Sequence, residues 1–280
     1  MERTIDRGAA QAKAARLLAL HHDSPPLVLA NAWDVASARL IEAAGFSAVA
    51  TTSSGVANAL GYPDGEFIGR DEMLTVVERI AAAVAVPVTA DMEAGYGPAA
   101  SDVAETVRRT IAAGAVGMNL EDARRHELLP LQEASLRIAA ARSAADAEGV
   151  HLVINARTDV FLLGGSGEEA FEEAVRRANA YRQAGADSLF VPAVADGTLI
   201  GRLVKAIAGP LNVLAGPATP PLPELAHLGV ARVSVGGSLA RAALTVVRHV
   251  AEELQGPGTF TFAAGIITHA EMNDLLRSTT

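Results

Sequence analysis

Short apolar segments alternate with longer, alanine-rich amphipathic stretches along most of the chain. The apolar segments are rich in valine, isoleucine and leucine, as is typical of strands that are buried on both faces. The stretches between them have helical periodicity, and several end in a glycine that suits a helix C-terminus. We predict strands over residues 27–33, 48–54, 87–93, 117–122, 152–158, 188–192, 211–216 and 232–237, and helices over residues 35–45, 70–84, 99–114, 131–148, 167–185, 196–208, 220–229 and 238–254.

Eight strand–helix units in succession predict a (β/α)8 barrel of the α/β class, because neighbouring parallel strands need the crossover connections that helices supply. A doubly wound open sheet is the alternative, and its first strand is usually followed by a glycine-rich loop. The first strand here ends in Asn31-Ala-Trp-Asp34, without glycine, which favours the barrel.

Residues 256–280 follow the eighth unit, and Gly256-Pro-Gly258 separates them from it. We predict that residues 1–255 form the barrel domain and that residues 265–277 form a terminal helix. In the predicted fold this helix has no barrel surface left to pack on. We therefore expect a homo-oligomer, a dimer or a tetramer, in which the helix docks on a neighbouring subunit.

The composition excludes several kinds of chemistry. There is no cysteine, and hence no disulfide scaffold, thiolate metal ligand or cysteine nucleophile. The only lysines, Lys13 and Lys205, lie away from strand ends, which argues against a Schiff-base lysine. The formal net charge of -9 argues against nucleic-acid and anionic-membrane partners. No apolar run is long enough to span a membrane and the N-terminus does not resemble a signal peptide, so we expect a cytoplasmic protein.

Two carboxylates, Asp91 and Glu93, lie at the end of the third predicted strand, just before Gly95-Tyr-Gly97. Residues i and i+2 of a strand point to the same face, so these side chains are expected to converge. Neighbouring carboxylates repel each other unless a cation or a shared proton lies between them. The pattern therefore predicts either a divalent-metal site or a pair of acid–base groups.

Further polar residues follow the neighbouring strands at the carboxyl end of the predicted barrel, where barrel enzymes place their active sites. They are Thr52, Ser54 and Gly55 after strand 2, Asp64 in the next loop, Glu121 after strand 4 and Arg157 after strand 5. Carboxylates without histidine favour Mg²⁺ or Mn²⁺ over zinc. Together with an arginine fork that matches a carboxylate or phosphonate, they predict a pocket for a small dianionic oxo-acid polarised by the metal.

These residues and their neighbours also have structural interpretations. Asp122 and Asp159 could cap helices or form ion pairs with Arg124 and Arg125, and Glu121 could form an ion pair with Arg157. Asp64 could be a turn residue, because Pro-Asp-Gly is a common turn sequence. Thr52 and Ser53 could fill the barrel interior, and Trp33 could pack beneath the pocket. His126, in the loop after strand 4, is either a catalytic proton donor or a solvated side chain, and we favour the second.

The chain resembles the isocitrate lyase/phosphoenolpyruvate mutase superfamily nearly from end to end. The resemblance rests on the segments Asn31-Ala-Trp-Asp34, Thr52-Ser-Ser-Gly55, Gly61-Tyr-Pro-Asp64, Asp91-Met-Glu-Ala-Gly-Tyr-Gly97, Asn119-Leu-Glu-Asp122 and Asn155-Ala-Arg-Thr-Asp159. It implies an α/β barrel, a Mg²⁺ site and tetramers whose subunits exchange a C-terminal helix.

The resemblance also implies roles for individual residues. It implies that Asp91 binds the metal directly and that Glu93, Glu121 and Asp64 bind it mainly through water. It implies that Arg157 binds the substrate's distal anionic group. It implies that Ser54 and the Gly55 amide, beside Thr52, bind the α-keto carboxylate. Within this set, Arg157, Glu121 and Asp64 are the residues that we expect to take part in catalysis.

Two departures separate the chain from the best-known branches of this superfamily. The lyase branch has a Lys-Lys-Cys-Gly-His type segment with a catalytic cysteine after strand 4, where this chain has Ala123-Arg-Arg-His-Glu-Leu-Leu-Pro130. The mutase branch has a tryptophan at the position of Thr52, and its gating loop with lysine and asparagine is missing here. Both departures argue against the reactions that define those branches.

The resulting prediction is a Mg²⁺-dependent lyase that cleaves a C–C bond of a small 2-oxo or 2-hydroxy di-acid, or decarboxylates an oxaloacetate-like acid, through a metal-stabilised enolate. The alternatives are a hydrolase or mutase that breaks the P–C bond of a phosphonopyruvate-like substrate, and a non-catalytic protein that binds an α-keto acid. A phosphate-binding barrel that uses Gly236-Gly-Ser238 ranks last, because it does not account for Asp91 and Glu93.

Overall fold

The structure is a computed structural model, and it describes residues 6–277. Within this range the strands are β1 (Leu27–Leu29), β2 (Asn31–Ala32), β3 (Val49–Thr51), β4 (Val88–Asp91), β5 (Gly117–Glu121), β6 (Ala123–Arg124), β7 (Glu127–Leu128), β8 (Val153–Arg157), β9 (Ser188–Val191), β10 (Leu211–Leu214) and β11 (Arg232–Ser234). The α-helices are α1 (Arg7–Leu20), α2 (Val35–Ala43), α3 (Ser53–Ala59), α4 (Arg70–Ala83), α5 (Ala100–Ala112), α6 (Leu131–Glu148), α7 (Gly167–Gln183), α8 (Gly197–Ala206), α9 (Leu222–Leu228), α10 (Ser238–Gln255) and α11 (His269–Arg277).

Nine of the described strands form one parallel sheet in the order β1-β11-β10-β9-β8-β5-β4-β3-β2. The strands at its two ends, β1 and β2, are separated in the chain by Ala30 alone, so the sheet returns to its own first strand as a nearly closed barrel. Each barrel strand lies within one of the eight predicted segments. The predicted (β/α)8 class is therefore confirmed, with β1 and β2 as two parts of the first strand.

The predicted second and third strands extend too far. Strand β3 ends at Thr51, because Thr52 is the N-cap of the unpredicted helix α3 and accepts a hydrogen bond from the Gly55 amide. Strand β4 ends at Asp91, and Glu93 has a left-handed φ of 48°. Glu93 thus lies in the turn beyond the strand. The expectation that Asp91 and Glu93 share one face of a strand was therefore wrong.

Helix α1 covers the amino end of the barrel. A Cβ atom placed on Gly117 would lie 2.7 Å from the Leu17 side chain, so this glycine permits the close approach of α1 to β5. Leu17 is fully buried there. Polar side chains are also buried among the barrel strands, and Asn155, Asn212 and Arg232 each have 0% exposure. The barrel interior is consequently more polar than an aliphatic core alone.

Beyond the barrel, the terminal helix α11 begins at His269 rather than at residue 265, and the division into a barrel domain and a tail stays a prediction. Helix α10 ends at Gln255, and α11 packs on α2 of the same chain, where Arg39 donates two hydrogen bonds to the Leu275 carbonyl oxygen at 3.1 and 3.0 Å. Exposed apolar side chains on α10 include Val246 and Val247. Because α11 packs on α2, the expectation that the terminal helix has no surface of its own barrel to pack on is wrong, and docking of this tail on a neighbouring subunit stays a prediction. None of the helices within residues 6–277 is long and apolar enough to cross a membrane.

Candidate active site

Asp91 lies at the carboxyl end of β4 and is held by donors from two neighbouring strand ends. Its Oδ2 atom accepts hydrogen bonds from the Ser53 amide at 3.0 Å and the Ser53 hydroxyl at 2.8 Å. Its Oδ1 atom accepts one from Asn119 Nδ2 at 3.3 Å. A carboxylate has about four acceptor positions, so one position remains on Oδ1. The side chain is ordered before any ligand arrives.

Glu93 reaches the same region from the turn after β4. Its carboxylate accepts hydrogen bonds from the Glu66 amide and from the Tyr96 hydroxyl, the second at 3.2 Å. Glu66 in turn accepts a hydrogen bond from the Tyr96 amide at 2.8 Å, and it pairs with Arg124 at 3.6 Å. These contacts join the loops after α3, β4 and β5 at the rim of the barrel, so the position of Glu93 depends on all three loops.

Burial, and then the charges of neighbouring carboxylates, raise the pKa values of three acidic residues at this end of the barrel. Burial, then the charges of Asp91 and Asp64, raise the pKa of Glu93 from 4.5 to about 7. Partial burial, and then the charge of Asp91, raise the pKa of Asp64, which lies in the Pro-Asp-Gly turn and still reaches solvent. Burial also raises the pKa of Glu121 well above its ordinary value, although Arg157 opposes the shift. The site therefore concentrates more negative charge than its own residues balance, which is the electrostatic setting for a bound cation.

Arg157 lies at the end of β8 between two carboxylates. Its Nε and Nη2 atoms donate to Asp159 at 2.5 and 2.9 Å, and Nη1 lies 2.8 Å from Glu121 Oε2. The structural pairing of Glu121 with Arg157 is thus present. A guanidinium has five N–H donors, so two remain for a ligand. The predicted substrate role of Arg157 stays compatible with this geometry.

The ion pairs predicted for Asp122 and Asp159 were wrong in their partners. Asp122 accepts hydrogen bonds from Tyr181 at 2.6 Å, from Arg177 at 3.1 Å and from the Asp159 amide at 2.9 Å. Asp159 pairs with Arg157, as described above. Arg177 and Tyr181 come from α7, which packs outside β8 and β9 and was not considered as a source of partners. Asp122 is therefore structural: it ties α7 to the ends of two strands.

Helix α3 begins just beyond the carboxyl end of β3, and its first turn and N-cap contain the residues predicted to bind the α-keto carboxylate. Thr52 is 1% exposed and caps the helix, and its hydroxyl lies 3.1 Å from the Ser54 hydroxyl. A Cβ atom on Gly55 would lie 3.1 Å from Trp33 Cβ and 3.2 Å from Ala240 Cβ, so Gly55 allows close packing of α3. Trp33 packs against the core, as predicted. Substrate binding by Thr52, Ser54 and Gly55 stays a prediction.

The glycines after β11 are accounted for by packing and local hydrogen bonding. The Gly236 amide donates to Asn31 Oδ1 at 2.9 Å. A Cβ atom on Gly237 would lie 2.3 Å from the Ser54 hydroxyl. These contacts support the interpretation of Gly236 and Gly237 as close-packing residues rather than a phosphate cradle.

The segment after β5 forms a compact hairpin. Strands β6 and β7 are joined by Arg125 and His126, whose left-handed φ values of 51° and 63° are those of a two-residue type I′ turn. His126 is exposed at its tip. This supports the solvated interpretation of His126.

The donor set suits a hard cation that keeps much of its water. Within residues 6–277, no three acidic or histidine side chains form a direct coordination shell. A cation at Asp91 would therefore have few direct protein ligands, and Glu93, Glu121 and Asp64 are the carboxylates whose pKa values respond to the charge of Asp91. Mg²⁺ is commonly bound in this manner, by one or two carboxylates and several waters.

Metal-free protein is expected to lose stability as the pH rises, because Glu93 must ionise in a crowded, buried position. Its pKa is higher in the folded state, about 7, than the ordinary value of 4.5. The folded state is thus favoured below pH 4.5, and this advantage falls as the pH rises to about 7, by on the order of 3 kcal/mol. Urea denaturation at pH 5 to 8 should show a shallower decline for Glu93→Gln than for wild type. Equal pH dependences would contradict this assignment.

Several residues of the site were missed by sequence reasoning. Ser53 was interpreted as barrel filling, yet it supplies two of the three hydrogen bonds to Asp91. Asn119 and Glu66 were not considered as parts of the site. A signal for Asn119 was present, since an amide within an apolar strand must find hydrogen-bond partners. Glu66 had no such signal, because its position depends on how three loops meet.

Comparison with known proteins places this geometry in a family. The phosphoenolpyruvate phosphomutase family model matches residues 17–255. The 2-methylisocitrate lyase of Escherichia coli (strain K12) is 32% identical over 249 residues, which cover 84% of this chain and 81% of the lyase. An oxaloacetate decarboxylase of Rhodopseudomonas palustris (strain BisB18) is 34% identical over 198 residues, which cover 67% of this chain and 65% of that protein.

Solved structures agree with the sequence comparison. A Burkholderia cenocepacia J2315 protein, assigned only in broad terms as a lyase/mutase, superposes with a TM-score of 0.91 at 39% identity, over 96% of this chain and 98% of its own. Phosphonopyruvate hydrolase in complex with oxalate and Mg²⁺ superposes with a TM-score of 0.82 at 28% identity, over 94% of each chain. The chain therefore belongs to the phosphoenolpyruvate phosphomutase family, within the isocitrate lyase/phosphoenolpyruvate mutase superfamily.

Proposed function

We propose that this protein is a Mg²⁺-dependent carbon–carbon lyase that acts on a small 2-oxo or 2-hydroxy di-acid, with an oxaloacetate-like acid as the preferred class. The observation that carries the proposal is the gathering of Asp91, Glu93 and Asp64 at one end of the barrel, where burial first, and then the charges of the neighbouring carboxylates, raise the pKa values of Glu93 and Asp64; a cation would relieve this repulsion. The family includes 2-methylisocitrate lyase and an oxaloacetate decarboxylase, which supports C–C bond chemistry.

The metal would be held by Asp91 directly and by Glu93, Glu121 and Asp64 through water. Asp91 suits this role because Ser53 and Asn119 fix its carboxylate while one acceptor position on Oδ1 stays open. When bound, a divalent cation supplies Lewis-acid polarisation of the substrate's 2-oxo group. Mn²⁺ would fit the same oxygen donors.

The substrate's two anionic groups would meet different sides of the pocket. Arg157 would bind the distal carboxylate with its two remaining N–H donors, while Glu121 and Asp159 keep its guanidinium in place. Ser54, which is half-buried at the start of α3, would bind the carboxylate next to the 2-oxo group. This arrangement selects short di-acids, because both groups must reach the same metal-centred pocket.

Decarboxylation places the smallest demand on a protein acid or base. The C–C bond breaks, CO₂ leaves, and the electron pair stays on the remaining oxo-acid, where a proton from water completes the product. No cysteine is present to serve as the acid of the lyase branch, and the hairpin after β5 carries its histidine at an exposed tip. The chain therefore favours a reaction that does not depend on that segment.

A panel of three- to six-carbon 2-oxo and 2-hydroxy di-acids, assayed with Mg²⁺ for CO₂ release and for C–C cleavage products, tests the proposal. We expect turnover of at least one member, and loss of that turnover when EDTA removes the metal. If no member is decarboxylated or cleaved, the lyase proposal is wrong. Binding of an α-keto acid by calorimetry without turnover would instead favour a non-catalytic protein.

Hydrolysis of a P–C bond in a phosphonopyruvate-like substrate is the second candidate. The structural similarity to phosphonopyruvate hydrolase favours it, as does the free side of Arg157, which would match a phosphonate as well as a carboxylate. Release of inorganic phosphate from phosphonopyruvate separates this candidate from the lyase.

We also propose that the protein is a homo-oligomer and that its location is cytoplasmic. The exposed apolar side chains of α10 support the homo-oligomer.

A further inference from the structure

A chain of buried hydrogen bonds crosses the barrel interior from α1 to Asp91. His21 lies 2.8 Å from the Leu17 carbonyl oxygen through Nδ1 and 3.4 Å from Arg232 Nη1 through Nε2. Arg232 Nη2 donates to Asn119 Oδ1 at 3.2 Å, and Asn119 Nδ2 donates to Asp91 Oδ1 at 3.3 Å. These hydrogen bonds thus link the amino end of the barrel to Asp91, the predicted metal ligand at its carboxyl end.

The chemistry of His21 sets the direction of this chain. A carbonyl oxygen can only accept, so Nδ1 carries the proton that is donated to Leu17, and Nε2 is then free to accept from Arg232. This requires a neutral imidazole. Burial and the neighbouring charge of Arg232 lower the pKa of His21 to about 3, which keeps the ring neutral. His21 therefore anchors one side of the Arg232 guanidinium.

Arg232, which can only donate, favours one orientation of the Asn119 amide, and Asn155 donates to the same side of it. A guanidinium has no acceptor, so the amide must turn its oxygen toward Arg232. Asn155 Nδ2 donates to the same oxygen at 2.8 Å. The Asn119 nitrogen is then the atom that meets Asp91. With the amide reversed, two donors would face Arg232 and a carbonyl oxygen would face a carboxylate.

A purely structural role does not account for Arg232. The residue has 0% exposure, its Nε has no hydrogen-bond partner, and among the described residues no carboxylate lies within ion-pair distance of it. Burying an unpaired guanidinium is costly, and an apolar residue of similar size would be expected to serve packing better. Burial lowers the pKa of Arg232 to about 9, and Asp91 is the charge that opposes this shift.

We propose that Arg232 is a positioning residue for Asp91: it holds the Asn119 amide in the orientation that fixes Asp91 Oδ1 and leaves one acceptor position of that atom for the cation. This inference rests on the proposed function, because it requires a divalent cation at Asp91. Arg232 itself would contact neither metal nor substrate. Arg232 would change the affinity for the metal through two hydrogen bonds, from Arg232 to Asn119 and from Asn119 to Asp91.

Mn²⁺ binding to the purified full-length chain, measured by calorimetry, tests the proposal. Arg232→Met removes the Arg232 donor to Asn119 and is expected to raise the Kd for Mn²⁺ by about 10- to 30-fold, the lower part of the range for groups that bond a metal ligand directly, because Arg232 acts on Asp91 through Asn119. Arg232→Lys keeps the charge but loses the planar fork that serves His21 and Asn119 together. We expect a smaller rise in Kd, about threefold to tenfold, for this variant.

The matched control is Arg142→Met, which removes another largely buried arginine. Arg142 pairs with Asp187 at 2.6 Å and with the Leu152 carbonyl at 3.0 Å, away from the Asp91 network. It is expected to lower the melting temperature while changing the Kd for Mn²⁺ by less than about twofold. A rise in Kd equal to that of Arg232→Met would overturn the proposal, because general destabilisation would then explain both.

The remaining outcomes separate this proposal from the proposed function. A folded Arg232→Met protein with the wild-type Kd overturns the positioning role and leaves the metal-dependent lyase in place. If Arg232→Met does not fold, a wild-type Kd in Arg232→Lys has the same meaning. Wild-type protein that binds no Mn²⁺ would overturn both the positioning role and the metal site.

Discussion

Replacement of Asp91 by alanine is expected to abolish metal-dependent turnover, with a loss on the order of 10³-fold or more. Asp91 is the proposed direct ligand, because the structure holds its carboxylate by three hydrogen bonds with one acceptor position open. The measurement is kcat/KM with the substrate that the di-acid panel identifies, together with the Kd for Mn²⁺. We expect the two losses to occur together.

His126→Ala is the matched control for this substitution. His126 is exposed at the tip of the β6–β7 hairpin, so its removal should change kcat/KM by no more than about twofold. The comparison shows whether activity depends on the proposed metal ligand, Asp91, or on a proton donor at His126. A large loss in His126→Ala with retained activity in Asp91→Ala would reverse our assignment and place a proton donor on the hairpin.

Arg157→Met is expected to have the second large effect, on stability as well as on activity. The substitution leaves Glu121 and Asp159, which lie 2.8 and 2.5 Å from the guanidinium, buried without their counter-charge. Removing one partner of a buried ion pair destabilises a protein by roughly 3–5 kcal/mol. Urea denaturation measures this loss, and we expect kcat/KM to fall below detection.

The triple variant Arg157→Met, Glu121→Gln and Asp159→Asn distinguishes the two roles of Arg157. Neutral partners remove the uncompensated charges, so most of the lost stability should return. Activity should not return, because the donors for the distal carboxylate remain absent, and the variant Glu121→Gln, Asp159→Asn, which keeps Arg157, gives the loss that comes from the two carboxylates alone. Recovery of activity together with stability would show that Arg157 acts only as a structural counter-ion.

The pattern of apolar segments was sufficient to predict the barrel, because eight repeats of one strand–helix unit leave few ways to bury every strand. It was less informative about where strands end. Helix α3 starts at Ser53 because the Thr52 side chain caps it, and Glu93 leaves the strand through a left-handed turn. Both features arise from single residues acting against the local β preference, which a periodic pattern averages away.

Residue types and their order along the chain already identified Asp91, Glu93, Glu121, Asp64 and Arg157 as site candidates. This was possible because strand ends of a parallel barrel meet at one face, so sequence position alone predicts proximity. The partners of each carboxylate required the fold. Ser53, at the start of α3, and Asn119, in β5, donate to Asp91, Arg232 in β11 reaches it through Asn119, and α7 supplies the partners of Asp122. Such contacts depend on register and on helix packing, which only the tertiary structure decides.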